Sequence, residues 1–372
     1  MELKKEIRIY FSLTKYHDLL NRYIEDRNWR SDAKALCLEI LNNKIDAPVS
    51  RRGKLGVKIP LQNLEEHILD TWYGGPAGYI SASIDWASKS TDKHKWKSYW
   101  LSKETKWVAF VGFDCTFSHG IFYPGMLMAQ AKYVYPDTVV TNKFYGLDGQ
   151  KVSTSRNHAI WGDDIFSLID PDVVRLYLSS TAPENNETDF KVSDFKQFVN
   201  DKLGDKWNNW LVGLFDISSR FGSLRTQPIN AAISTENYPN KIKGYLEQIA
   251  HCFDTEEFSL QKIARSILAI ANEGILHFNY ITRNLKIDAV ELEKNLTIVR
   301  LLGITSSPIM PGFSEKIKNV FQEDVEIDHS YIWDDIYKEV KVSPQKINAS
   351  FFDKYDDITF EKLISGKKAT IQ

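Results

Sequence analysis

Cysteine is scarce in this chain: its 372 residues hold three, Cys37, Cys115 and Cys252. Odd in number and far apart, they argue against a disulfide framework and against a four-cysteine zinc site, and a reducing, cytoplasmic setting is expected. Long apolar runs are missing as well. No window reaches the roughly 18 to 20 apolar residues of a membrane span, and the opening MELKKEIRIYF has no apolar core of signal-peptide length, so neither secretion nor membrane insertion is expected. Charge of one sign is not in excess: 47 basic against 49 acidic residues leave a net charge of −2, which gives no global attraction to a bulk polyanion but leaves room for a local basic groove. The eight histidines are scattered, with no cysteine or carboxylate at ligand spacing, so no metal site is expected. Gly-x-Ser-x-Gly, GxxxxGK[ST], internal repeats and low-complexity linkers are all absent.

What is present is apolar material for real cores, 43% of the chain, and enough length for two domains or one large domain with an appendix. Tyr16, Leu19, Leu20 and Tyr23 recur three and four apart, and Ala33 to Leu41 repeats the pattern, so the opening segment predicts two helices. SRRGKLGVKIPL reads as an extended connector. In EEHILDTWYGGPAGYISASIDWA the Gly74-Gly75-Pro76 break predicts a short strand before it and a helix starting near Ala77. Residues 107–117, WVAFVGFDCTF, predict a buried strand, His119 to Lys132 a helix, and YVYPDTVVTNKFY a second strand, which makes a right-handed parallel unit. From Pro171 onward the periodicity is helical; Leu260, Ile263, Ala264, Ile267, Leu268, Ala271, Ile275 and Phe278 form one apolar stripe, the mark of a helical bundle.

Several residues could carry chemistry. His119 sits at a strand-to-helix junction, where open parallel sheets place ligands, and is either a site residue or a structural hydrogen-bonding group. Asp114 could bind a ribose hydroxyl or cap the next helix. Trp72 and Tyr79 could wall a pocket or belong to a core. GLDGQKVSTSR offers Lys151, Arg156, the hydroxyls of Ser153, Thr154 and Ser155 and exposed backbone N–H groups, which suit a polyphosphate or an ordinary solvated loop. These residues allow a nucleotide- or small-molecule-binding α/β domain.

TWYGGPAGYISAS, FVGFDCTFSHGIFYPGML, GLDGQKVSTSR and DPDVVRLYLSS, in that order and with the helices after them, resemble methionyl-tRNA synthetases, class I aminoacyl-tRNA synthetases. The resemblance runs from about Tyr10 to the YIWDDI segment. It implies an α/β fold in which an incomplete Rossmann-type parallel sheet precedes an all-α helical bundle. The implied division is a helical connector over 1–60, the C-terminal half of a Rossmann-like catalytic domain over 61–170, and a bundle resembling the anticodon-binding domain over 171–372. It implies an amino-acid pocket formed by Trp72, Gly75, Pro76, Tyr79, Cys115 and His119, with Gly75 where the family has alanine and Cys115 where it has an aliphatic residue. Gly112, Asp114 and Lys151 would face the nucleotide. KVSTS matches the KMSKS loop, which assigns Lys151, Ser153 and Ser155 to catalysis with ATP as substrate and Mg2+ accompanying it.

The chain also departs from the family. Thr154 replaces the second lysine of KMSKS, and losing one such transition-state contact costs roughly 3 kcal/mol, about a hundredfold. No H-x-G-H occurs, so the HIGH motif, half of the nucleotide-binding sheet and the zinc-bearing insertion are expected to lie outside this sequence. Asn209 matches an anticodon-reading residue, but Gly213 stands at an arginine position and Ile281 near a tryptophan position. Guanidinium readout and indole stacking are each worth roughly 1 to 3 kcal/mol, so weak tRNA recognition is expected. The leading expectation is a degenerate or repurposed homologue that binds an amino acid, methionine or similar, or its adenylate. A split methionine–tRNA ligase completed by a HIGH-bearing partner polypeptide is the alternative, and a non-catalytic assembly protein is the third.

Overall fold

The computed structural model describes residues 7–228, 237–321, 333–347 and 349–364. The chain divides into two compact units, Met1–Phe144 and Tyr145–Gln372.

In the first unit, residues three and four apart wind into α1 (His17–Glu25) and α2 (Ser31–Asn42), as the spacing predicts. They bury Leu20, Ile24, Cys37 and Leu41 in the same core as Ala109, Ile121, Phe122 and Val139. The opening helices are thus part of this unit's core: Tyr23 donates its hydroxyl to the Pro136 carbonyl at 2.6 Å and Trp29 its indole N–H to the Asp137 carbonyl at 3.3 Å. Short strands flank them. β1 (Tyr10–Phe11) pairs antiparallel with β2 (Ala47–Pro48), and β3 (Ser50–Arg52) with β4 (His67–Leu69). The long helix α3 (Thr71–Ser88) and the short α4 (Trp96–Trp100) follow. β5 (Val108–Gly112) then pairs in parallel with β6 (Thr138–Asn142), register Val108 to Thr138 through Gly112 to Asn142. The connection between them carries a wide π-type turn, Ser118–Phe122, and α5 (Tyr123–Gln130). This is the expected parallel strand–helix–strand unit, and among the described residues its sheet has two strands.

Two expectations change here. α3 does not start near Ala77; it starts at Thr71, because the Asp70 carboxylate caps it by accepting the Trp72 N–H at 3.0 Å. With that cap in place, Gly74, Gly75 and Pro76 are carried inside the helix, Pro76 costing one backbone hydrogen bond. The second apolar run also splits: Thr138–Asn142 pairs with β5, whereas β7 (Tyr145–Leu147) belongs to another sheet.

That sheet belongs to the second unit. β7 pairs antiparallel with β8 (Gln150–Lys151) and in parallel with β9 (Thr188–Phe190). α6 (Gly162–Leu168) and α7 (Pro171–Ser180) precede β9. After it, α8 (Val192–Gln197), a π-wound stretch Phe198–Trp207 and α9 (Asn208–Ser218) run on without a break. α10 (Asn237–Cys252), α11 (Leu260–Arg283), α12 (Ala289–Ser306), α13 (Pro311–Phe321) and α14 (Asp357–Ile364) complete the helices, and β10 (Leu224–Thr226) pairs antiparallel with β11 (Val340–Val342). α11 buries Ile263, Ala264, Ile267, Ala271 and Phe278 of the expected stripe, with Ser259 capping it by accepting the Lys262 N–H at 3.1 Å. The architecture is the expected mixture of small parallel α/β elements and a helical C-terminal region.

Candidate amino-acid and phosphate sites

α3 places Trp72 and Tyr79 on one face by their helical spacing. It is a bare helix for its apolar content: among its described side chains Ala87 is buried and Tyr73 packs half-buried against the core, while Trp72 is 52% and Tyr79 46% exposed. A Cβ on Gly75 would meet open space. Trp72 makes no ring contact among the described residues.

Tyr79 reaches the π-type turn. Its hydroxyl lies 3.0 Å from Nε2 of His119, which is 7% exposed. On the other side of the imidazole, Nδ1 lies 3.2 Å from the Cys115 carbonyl and 2.9 Å from the Ser118 hydroxyl. The Ser118 hydroxyl itself donates to that same carbonyl at 2.9 Å. With Nδ1–H donating toward the Cys115 carbonyl, the neutral ring leaves Nε2 to accept the Tyr79 hydroxyl. Burial pushes its pKa below the usual value, against the weaker pull of the Cys115 carbonyl. The arrangement gives a buried, uncharged imidazole linked to a half-exposed phenol, suited to hold a polar organic ligand.

The rest of the expected first-unit set gathers near the same turn. Gly112 ends β5, and a Cβ there would sit 2.6 Å from the Asp114 carboxylate, so only glycine lets that side chain fold back. Asp114 is exposed. Burial, then the Asp114 charge and hydrogen bond, raise the Cys115 thiol pKa, so this sulfur is held protonated. Tyr123 escaped the sequence reading. Its ring lies 6.2 Å from that of Tyr79 and 5.5 Å from that of Trp107, on the face of the turn that also carries His119. Its helical spacing from His119 was the available signal. Among the described residues no three His, Cys, Asp or Glu side chains are grouped to hold a metal ion.

Lys151, Ser153 and Ser155 lie in the second unit. Leu147 pairs with Gln150 across the two-residue turn Asp148-Gly149, whose φ values of 47° and 78° are both positive, the twist a tight hairpin needs. Asp189 on β9 fixes the turn: its carboxylate oxygens accept the Gly149 N–H at 3.0 and 2.8 Å. Beyond it, Ser153 and His158 exchange backbone hydrogen bonds at 2.8 and 2.9 Å, closing the loop STSRN. His158 Nε2 donates to the Leu147 carbonyl at 3.0 Å. Lys151, Thr154, Ser155 and Arg156 are all exposed, and Ser153 and Ser155 hydroxyls lie 3.3 Å apart. The hairpin therefore presents cation, hydroxyls and N–H groups on a fixed base.

In the helical region Asn209 is exposed, but Ile281 is completely buried, and a side chain at Gly213 would press on the Phe278 ring at 3.1 Å. The neighbour of Asn209 has a different job: buried Asn208 donates to the Phe352 carbonyl at 2.7 Å and accepts the Phe351 and Phe352 N–H groups at 3.0 and 3.1 Å.

Comparison with known proteins agrees with the motif order. The methionine–tRNA ligase of Bacteroides fragilis is 27% identical over 390 residues, covering 99% of this chain and 55% of that protein. That of Pyrococcus furiosus is 26% identical over 340 residues, covering 84% and 46%. The chain spans about half the length of these curated relatives. Among solved structures, Mycobacterium tuberculosis methionyl-tRNA synthetase in complex with methionyl-adenylate aligns over 94% of this chain and 69% of its own, with a TM-score of 0.75 and 15% identity, a likeness of fold. Residues 1–213 match the family described as tRNA synthetases class I (M). With more than half of its residues matched, the chain belongs to the methionyl family of class I tRNA synthetases.

Proposed function

We propose that this chain binds an α-amino acid and its adenylate through Tyr79 and His119, as a degenerate or repurposed member of its family. The hydrogen bond between Tyr79 and the buried neutral His119 carries this reading. Trp72, Gly75, Pro76 and Cys115 complete the amino-acid side, and Gly112 and Asp114 the adenosine side. ATP is the co-substrate, with Mg2+ accompanying its phosphates, and Lys151, Ser153 and Ser155 act on the triphosphate. Catalysis of this kind is mostly positioning and charge stabilisation, and the hydroxyl of Thr154 supplies less of it than an ammonium would. With a buried aliphatic residue at 281 and glycine at 213, tRNA recognition is weak.

A second reading has its own support. The exposed apolar side chains of α3 and the two-stranded sheet favour completion of the site by a further polypeptide segment carrying the HIGH motif, giving a working methionine–tRNA ligase. Calorimetric titration of the chain with methionine, other amino acids, ATP and a non-hydrolysable methionyl-adenylate analogue tests the first reading; binding of none of them overturns it. ATP–pyrophosphate exchange and tRNA charging with a HIGH-bearing segment added test the second, which fails if the pair charges no tRNA.

A further inference from the structure

Tyr123 is 1% exposed, yet its hydroxyl has no hydrogen-bond partner. Beside it, the Tyr79 hydroxyl has His119 as its partner, and His119 Nδ1 has the Cys115 carbonyl. A buried hydroxyl without a partner costs about 1 to 3 kcal/mol, so packing alone would be served better by phenylalanine. The phenol ring is packed edge-on against Trp107 at 5.5 Å and beside Tyr79 at 6.2 Å.

Resting on the reading that an amino acid binds at Tyr79 and His119, we propose that Tyr123 selects its side chain, donating its hydroxyl to an uncharged side chain that carries an accepting oxygen. A thioether is a poor acceptor and a methylene none, whereas an amide or hydroxyl oxygen fills the need. The surroundings also penalise charge: burial, with the Tyr79 and Tyr133 phenols nearby, raises the Tyr123 pKa, and burial lowers that of His119. A ligand carboxylate or ammonium would meet the same desolvation cost, so the favoured side chain is neutral. A site built around one buried donor rejects analogues that leave it unpaired.

The test is calorimetric titration of the full chain with glutamine, methionine and norleucine, three amino acids of similar length, on the wild type and on Tyr123→Phe. Glutamine is expected to bind about tenfold more tightly than norleucine, and the ratio to fall to about one in the variant. Norleucine or methionine binding as tightly as glutamine to the wild type overturns the inference and leaves amino-acid binding standing. A ratio that survives in a folded Tyr123→Phe chain overturns it too. If none of the three binds, the inference is overturned, and the proposed function is then decided by the ATP and adenylate-analogue titrations. Should Tyr123→Phe not fold, the wild-type ratio decides.

Discussion

The Tyr79 hydroxyl and the Nε2 atom of His119, 3.0 Å apart and 40 residues apart in sequence, commit one ring nitrogen while the Cys115 carbonyl commits the other. Burial holds the pKa of this imidazole below the usual 6.5, which favours its neutral form. The unfolded chain takes up a proton near 6.5 and the folded chain only at lower pH. This residue's stabilising contribution is therefore intact above about 6.5 and is lost as pH falls through the folded value. NMR titration of the histidine ring carbons should show a midpoint below 6.5, and Tyr79→Phe should move it upward by removing a donor that only the neutral ring accepts.

The Asp148-Gly149 hairpin depends on Asp189. Its carboxylate takes the Gly149 N–H, and a Cβ on Gly146 would come within 2.7 Å of it. Asp189→Ala should loosen the turn by about 1 kcal/mol, modest because solvent competes at an exposed turn, and hydrogen exchange at the Gly149 amide should accelerate roughly fivefold. Exchange elsewhere in the helical region should not change.

A buried polar chain ties the helices together. Trp210 donates its indole N–H to Asn295 Oδ1 at 2.8 Å, and Asn295 donates to the Gly274 carbonyl at 3.0 Å, with Asn295 fully buried. Asn295→Leu strands the Trp210 indole N–H and should cost about 2 to 4 kcal/mol, read as a lower urea midpoint. Trp210→Phe in the same chain should recover part of that loss, because one stranded donor disappears.

How much of this was legible in sequence follows from the range of each interaction. β5 and β6 announced themselves through β-branched and aromatic runs, because that signal is local. The start of α3 was misplaced because Gly74-Gly75-Pro76 is a breaker only without a cap, and Asp70 supplies one. The Tyr79–His119 pair and the hold of Asp189 on Gly149 join residues about 40 positions apart, and no periodicity encodes them. Family resemblance had named Tyr79 and His119 but neither their hydrogen bond nor Tyr123, whose orphaned hydroxyl becomes visible only once its neighbours are in place.

Thr154 is exposed on the loop that follows β8, so a lysine there should fold without strain. With a HIGH-bearing segment supplied, Thr154→Lys should raise ATP–pyrophosphate exchange by up to about a hundredfold, the worth of one well-placed charge. An unchanged rate would mean that the loop no longer handles a triphosphate.

The most direct test of the central claim is calorimetric titration of wild-type and His119→Ala chains with the non-hydrolysable methionyl-adenylate analogue, with circular dichroism confirming that both are folded. The account predicts saturable binding to the wild type and at least a tenfold loss in the variant. Equal affinity in the two chains would contradict it and leave His119 a packing residue.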